Sequence, residues 1–338
     1  NLREEGKKLS GEPKEAKYLD SYSFMKEQAF AEPLFELAMS LDGEKRYKYL
    51  KIIENAITPR ENVEIIFNRD LYEWRILEEL YLICFYTNRH LESLFVISKL
   101  LAKPNIMQIH RKRFIKNLVF SLPDIKVVNL DRRPDRWQTF KDKADKIGLN
   151  YTRFSAVDGK EMKLTRKIEH LFRGNDFNFR RGIIGCAMSH IKLWKEVKES
   201  KAPMLILEDD VNFSDNFLSD LCLVLSKLDN NCDICFLGYL VWEKYQKDVE
   251  KGNNRLIKMR KERYMGGTHA YIISPKGAET LLKISEEKGI QNGIDWFMMY
   301  QFDKMDVVEC VPQIAHATYV DFKSNVDSDI QYDNERLK

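Results

Sequence analysis

Met204-Leu205-Ile206-Leu207-Glu208-Asp209-Asp210 is the stretch on which the reading of this chain turns. Four consecutive apolar residues have the length of a strand, and one covered on both faces of its sheet. Three acids follow with no spacer. Crowded carboxylates repel one another unless a cation or a cationic partner compensates them. In open α/β sheets, ligands bind beyond the carboxyl ends of the strands. Alternation along the strand puts Glu208 and Asp210 on one side and Asp209 on the other. A hard divalent ion takes oxygen ligands and commonly shares its sphere with substrate phosphates. The stretch therefore predicts a Glu-x-Asp clamp, Glu208 and Asp210, for Mn2+ or Mg2+ and a diphosphate. A solvated acidic loop is the alternative.

Working outward, Ile125–Leu130 is short and β-branched, a second strand. Pro134 follows where a helix begins, its missing N–H costing nothing at the first helical position. Trp137, Phe140, Ala144 and Ile147 form one helical stripe, and Gly148 ends it. Tyr151–Phe154 reads as a strand, Gly185 to about Val197 as a helix, Asp233–Leu237 and Ala270–Ile273 as strands, and Pro275–Ile284 as a helix. Strands alternating with helices predict an α/β domain with a mainly parallel sheet over residues 123–338. Residues 21–122 carry a different period. Leu34, Leu37, Ala38 and Leu41 recur at three and four residues, as do Ile76, Leu77, Leu80, Tyr81 and Cys84. Breaks at Asp42-Gly43, Thr58-Pro59 and Thr87-Asn88-Arg89 divide the region into stacked helical hairpins. Trp74-x2-Leu77-x3-Tyr81 matches the opening of a tetratricopeptide repeat, so the segment reads as all-α and tetratricopeptide-like. His90, Leu94 and Ile97 fill the later small positions of that pattern. Such helices serve either as a plain bundle or as a surface for a partner or for self-association. Residues 1–20 are charged and aperiodic, a linker or tail, and Asn325–Gln331 forms a second acidic tail.

Composition narrows the function. A chain of 338 residues suggests two domains. Lys and Arg number 55 against 52 Asp and Glu, a net charge of +3, too balanced for a nucleic-acid partner. No apolar run approaches the roughly 18 residues that span a bilayer. The first residue is Asn1 and not Met, the pattern of a cut chain, so the lack of a targeting segment carries no weight. Of six cysteines, most lie in apolar stretches, and Cys232-x2-Cys235 lacks the second pair a zinc site needs. The pattern leans towards a reducing compartment.

Arg132, Arg133 and Arg136 surround the start of the helix at Pro134. A helix N-terminus favours anions and Arg grips phosphate with two hydrogen bonds, so Arg132 and Arg136 are candidates for a donor phosphate. Asn129 at the strand end offers an amide to a base or ribose. Arg180-Arg181 is a further anion candidate.

Together these segments resemble glycosyltransferase family 25, which includes lipooligosaccharide sugar transferases and procollagen galactosyltransferases. The residues that carry the resemblance are Val128-Asn129-Leu130-Asp131-Arg132-Arg133-Pro134-Asp135-Arg136, Ala156-Val157-Asp158-Gly159, Gly185-Cys186-Ala187-Met188-Ser189-His190 with Leu193-Trp194, and Leu207-Glu208-Asp209-Asp210-Val211, in that order. The collagen enzymes look similar in Asp158-Gly159, Ser189-His190, Trp194–Val197 and Ile294-Asp295, and carry a further transferase-like domain in front. The resemblance implies a GT-A-like nucleotide-sugar-binding domain, UDP-galactose or UDP-glucose as donor, and Mn2+. It implies donor contacts at Asn129, Arg132, Arg136, Asp158, Gly159, His190 and Asp209. It implies metal ligands Glu208 and Asp210 with a late third ligand, His316 or, alternatively, His269. An inverting transfer needs a base for the acceptor hydroxyl; Asp295, beside Trp296, is the candidate, with a helix N-cap as its alternative role. The acceptor is a hydroxyl of a collagen-like protein, such as hydroxylysine, or of a glycan. A non-catalytic protein-binding module is the competing reading.

Overall fold

The computed structural model describes residues 18, 31–54, 68–103, 106–118, 121–250, 255–317 and 334–338. The expected tails at 1–20 and 325–331 and the break at Thr58-Pro59 lie outside these residues. The chain forms two compact units, residues 1–121 with 221–226, and residues 122–220 with 227–338. No helix among the described residues is long and apolar enough to cross a membrane.

In the first unit the apolar periodicity produces α1 (Glu32–Met39), α2 (Gly43–Glu54), α3 (Ile76–Tyr86), α4 (His90–Leu101) and α5 (Gln108–Leu118). Each packs on the next from α1 to α5, burying Leu34, Leu37, Leu50, Leu80 and Ile97. Trp74 does not open a regular helix. It lies in a π-helical turn, Leu71–Arg75, that runs into α3, and it stacks on His110 with ring centroids 4.4 Å apart. The helices follow one another without establishing a tetratricopeptide repeat.

From residue 122 on, the chain forms β1 (Asp124–Asn129), α6 (Pro134–Ile147), β2 (Thr152–Ser155), α7 (Arg166–Leu171), α8 (Arg181–Ser200), β3 (Met204–Glu208), β4 (Val211–Phe213), α9 (Phe217–Lys227), β5 (Ile234–Val241), α10 (Gln246–Glu250), β6 (Arg255–Lys258), β7 (Tyr264–Ile273), α11 (Pro275–Lys288), α12 (Ile294–Met299), β8 (Val307–Val311) and β9 (Ala315–Ala317); all belong to the second unit except α9, whose residues 221–226 fall in the first. Gly148 ends α6 in the left-handed conformation, φ +72°, which only glycine adopts without steric cost. Ser274 caps α11 by accepting a hydrogen bond from the Gly277 N–H at 3.1 Å.

Seven strands make one sheet in the order β2-β1-β3-β7-β5-β8-β6, and β4 pairs separately with β9. β1, β2, β3, β5 and β8 run one way; β7 and β6 run the other. This mixed α/β sheet, parallel in most of its strands, fits a GT-A-like domain. Met204 through Leu207 are buried on both faces, each such side chain contributing roughly 1.5–3 kcal/mol. The core around them holds Trp194, Tyr271, Phe236, Tyr264 and Ile206. All six thiols are free, and five are buried.

An ion pair is buried in this unit. Arg263, 2% exposed, pairs with Glu309, fully buried on β8, and the Tyr239 hydroxyl donates to the same carboxylate. Burial pushes the Glu309 carboxyl up, while Tyr239 and Arg263 hold it back. Removing one partner strands a desolvated charge. Glu309→Ala should therefore cost about 3–5 kcal/mol in urea unfolding, and pairing it with Arg263→Met should recover most of that loss.

Candidate active site

The carboxyl edge of the sheet gathers the residues singled out by the sequence into three groups. The first forms around Asp209. Strand β3 ends at Glu208, and residues 209–210 form a turn, so strict alternation stops there. Asp209 is buried and accepts from the Asn129 amide at 2.6 Å. Arg136, on the first turn of α6, places its guanidinium on Asp209 and lies 3.2 Å from Asp210. Arg136 thus serves the acids of its own chain, where the sequence reading gave it to a phosphate. Asn129 is likewise turned inward. Its amide nitrogen also donates to the Arg133 carbonyl at 3.1 Å, and its oxygen accepts from Arg153 Nε and from a second Arg153 nitrogen at 2.8 and 2.6 Å. It is 1% exposed, so it locks the end of β1 to the acidic turn and offers nothing to a base.

Arg136 is the guanidinium paired with Asp209 and Asp210, and the charges of Arg133 and Lys143 act from farther off. Burial pushes the Asp209 carboxyl up, with Arg136 and Asn129 opposing. Burial also pushes Asp210 up, reinforced by the charges of Glu208 and Asp209 and opposed by Arg136. The turn therefore carries excess negative charge on hard oxygen donors. That chemistry fits a divalent cation shared with phosphate oxygens, with Glu208 and Asp210 as its protein ligands.

The second group holds Glu208. Its Oε1 accepts from the Thr268 hydroxyl at 2.6 Å and lies 3.6 Å from His190 Nε2. Burial would raise this carboxyl, but His190 nearby, with the Thr268 hydroxyl, brings it below the usual range. His190 is fully buried. It sits beside Glu208 within the core.

The third group is the loop 156–159. Asp158 caps a 3-10 turn, accepting from the Lys160 N–H at 2.9 Å, and pairs with Arg132 at 2.7 Å. A Cβ on Gly159 would stand 1.9 Å from the Arg181 carbonyl oxygen, and one on Gly185 would stand 2.6 Å from that of Val157. The Ser189 hydroxyl accepts from the Val157 N–H at 2.9 Å. These motif residues dock the loop on α8. Gly159 is required for that contact.

Asp295 opens α12 in a glycine cleft. A Cβ on Gly266 or Gly293 would meet its carboxylate oxygens at 2.6 and 2.7 Å. It accepts from the backbone N–H of Gly267 at 3.1 Å and of Trp296 at 2.9 Å. Burial raises its pKa; those N–H groups oppose the rise and the Glu208 charge adds to it. The sequence reading passed over Cys186. Burial lifts its thiol, and the charges of Glu208, Asp295 and Asp210 lift it further. Thr268 and Arg153 were missed as well. Neither belongs to a motif, and only the sheet brings them in.

His316 lies on β9, opposite Asn212 on β4, two residues past Asp210. It lines a cavity of about 910 Å3 with Tyr239, Trp242, Glu243 and Gln313. Among the described residues, no three His, Cys, Asp or Glu side chains are grouped to hold a metal by themselves. His269, the alternative ligand, is buried in β7, its ring against Gly238, and burial, with His316 adding, pushes it down to about 4.

Known proteins share this arrangement of segments. Residues 123–298 match the family described as Glycosyltransferase family 25 (LPS biosynthesis protein). A Glycosyltransferase 25 family member of Drosophila melanogaster is 31% identical over 198 residues, covering 54% of this chain and 31% of that protein. A putative glycosyltransferase of Acanthamoeba polyphaga mimivirus is 28% identical over 225 residues, 63% of this chain and 68% of that one. Procollagen galactosyltransferase 2 of Mus musculus is 29% identical over 196 residues, 55% of this chain and 31% of that one. The matches thus span about a third of the fly and mouse relatives' length. With the family's segments filling its carboxyl-edge site, the chain belongs to glycosyltransferase family 25.

Proposed function

We propose that this chain moves a hexose, galactose or glucose, from a UDP-sugar to an acceptor hydroxyl, with inversion at the anomeric carbon and with Mn2+ or Mg2+. The observation that carries the reading is the under-compensated turn Glu208-Asp209-Asp210 at the carboxyl edge of the sheet, with Asp295 within its electrostatic reach. A bound divalent ion would supply Lewis-acid stabilisation to the leaving diphosphate. Glu208 and Asp210 would hold it, with His316 a candidate third ligand. Arg136 fixes Asp209 and limits the repulsion within the turn. Arg132 and Asp158, on the loop docked by Gly159, would border the nucleotide.

Asp295 is the candidate base. Its raised pKa brings it closer to working pH, which favours proton abstraction. The backbone N–H groups of Gly267 and Trp296 orient its carboxylate. The name of the mouse relative, procollagen galactosyltransferase 2, supports a hydroxyl on a collagen-like protein as acceptor, with a glycan hydroxyl as the comparison.

The test is UDP release from UDP-galactose and UDP-glucose with Mn2+, with and without hydroxylysine-containing collagen peptides. Release should require metal and vanish in Asp210→Ala; release by Asp210→Ala at the parent rate would refute the reading. Asp295→Asn should lower kcat by roughly 10²–10⁴-fold. A base acts when deprotonated, so kcat/KM should fall as pH drops through the Asp295 pKa. That pKa is raised, so this acid limb should lie above the ordinary aspartate value of about 3.9 and be missing from the residual activity of Asp295→Asn.

A further inference from the structure

Three buried side chains behind Glu208 are hydrogen-bonded to one another and end 3.6 Å from its carboxylate. His190 and Trp194 stand one turn apart on one face of α8. Tyr271 reaches them from β7, and all three are fully buried. Trp194 Nε1 donates to the Tyr271 hydroxyl at 3.0 Å. An indole N–H can only donate, so that contact uses an acceptor site on the Tyr271 oxygen. The other partner of the hydroxyl is His190 Nδ1, at 2.8 Å. A buried O–H left without an acceptor is costly, so the hydroxyl proton points to Nδ1. Nδ1 is then the acceptor of the imidazole, and the ring proton sits on Nε2. Nε2 has no hydrogen-bond partner within the ordinary range, and it faces Glu208 Oε1 at 3.6 Å. The Thr268 hydroxyl donates to that same oxygen. Both contacts on the Glu208 side chain thus fall on Oε1.

We propose that Trp194, Tyr271 and His190 form a positioning relay that fixes the Glu208 carboxylate through its Oε1 and leaves Oε2 for the cation, an inference that rests on reading Glu208 as a metal ligand. Trp194 sets the hydroxyl of Tyr271, Tyr271 sets the tautomer of His190, and His190 aims an N–H at the carboxylate. None of the three touches the reactants. Hydrogen-bonded supports of this kind are worth about 10–100-fold in metal affinity.

The first measurement needs no metal. Long-range proton–nitrogen correlation spectra of the full chain labelled with 15N-histidine should show His190 protonated on Nε2 and bare on Nδ1, its signals assigned with His190→Gln among the six histidines. A proton on Nδ1 overturns the relay. The second measurement is Mn2+ binding in the presence of UDP, followed by electron paramagnetic resonance. Tyr271→Phe and His190→Leu should weaken Mn2+ by about 10–100-fold, with ligand-free melting temperatures reporting any general loss of packing. His190→Gln, whose amide nitrogen can stand where Nε2 stood, should regain most of the affinity. Parent-like Mn2+ affinity in Tyr271→Phe and His190→Leu, with Glu208→Ala impaired, overturns the relay alone. Parent-like affinity in Glu208→Ala overturns the reading of Glu208 as a ligand, and the tautomer still reports on the hydrogen-bond chain.

Discussion

Burying β3 on both faces fixes where its last residues emerge, and those residues are three acids in a row. Two unit charges 4 Å apart interact by about 4 kcal/mol at the effective dielectric of a protein surface. The fold must meet that repulsion locally. It does so by giving each carboxylate a different surrounding. Glu208 receives an imidazole and a hydroxyl. Asp209 receives an amide and most of a guanidinium. Asp210 takes a share of the same Arg136 and is the one pushed furthest towards its neutral form. The imbalance left over is the ground on which the turn is proposed as a cation site.

The supports follow from this need. Asn129 lies at the end of β1, which pairs with β3 in parallel register through Val128 and Glu208. Its position follows from the strand pairing, and its amide spans Asp209 and Arg153. Arg136 comes from the first turn of the helix that β1 feeds, two residues after Pro134. On the other flank, the loop ending at Gly159 is pressed on the start of α8 so closely that two glycines are required. That contact fixes α8, and α8 carries His190 one turn beyond Gly185.

Sequence pattern revealed the pieces whose logic is local. Pro134 and Gly148 bracket α6 because one lacks an N–H and the other tolerates a positive φ. Met204–Leu207 reads as a buried strand because nothing in it is polar. The motif residues of family 25 were visible, though their roles were less so. Asn129 and Arg136 look like groups awaiting a nucleotide, yet their partners are acids of the same chain, and an intrachain partner eighty residues away leaves no local trace. The alternation argument applies only as far as Glu208, where the strand ends and residues 209–210 turn. β7 reads from sequence only as Ala270–Ile273, because Gly266 and Gly267 weaken any strand pattern; its true start at Tyr264, its reversed direction and the role of Thr268 were hidden with them. β8 was obscured by Glu309, a charge at a fully buried position that only Arg263 and Tyr239 explain.

The reversed strand is what makes the site possible. A parallel β7 would bring its last residues to the carboxyl edge, followed by a connection. Running antiparallel to β3, with Leu207 opposite Ala270, it brings its first residues there instead. Two of them are glycines with positive φ, +147° at Gly266 and +90° at Gly267. The missing side chain of Gly266 leaves room for the Asp295 carboxylate, and the Gly267 N–H is turned to it. The next residue, Thr268, holds Glu208, and three residues further Tyr271 holds His190. One strand thus supports both the proposed base and one of the proposed ligands. It keeps them close enough for the charge of Glu208 to raise Asp295. A cation bound to Glu208, as proposed, would reduce that contribution and would thereby couple metal occupancy to the proposed base through a single sheet element.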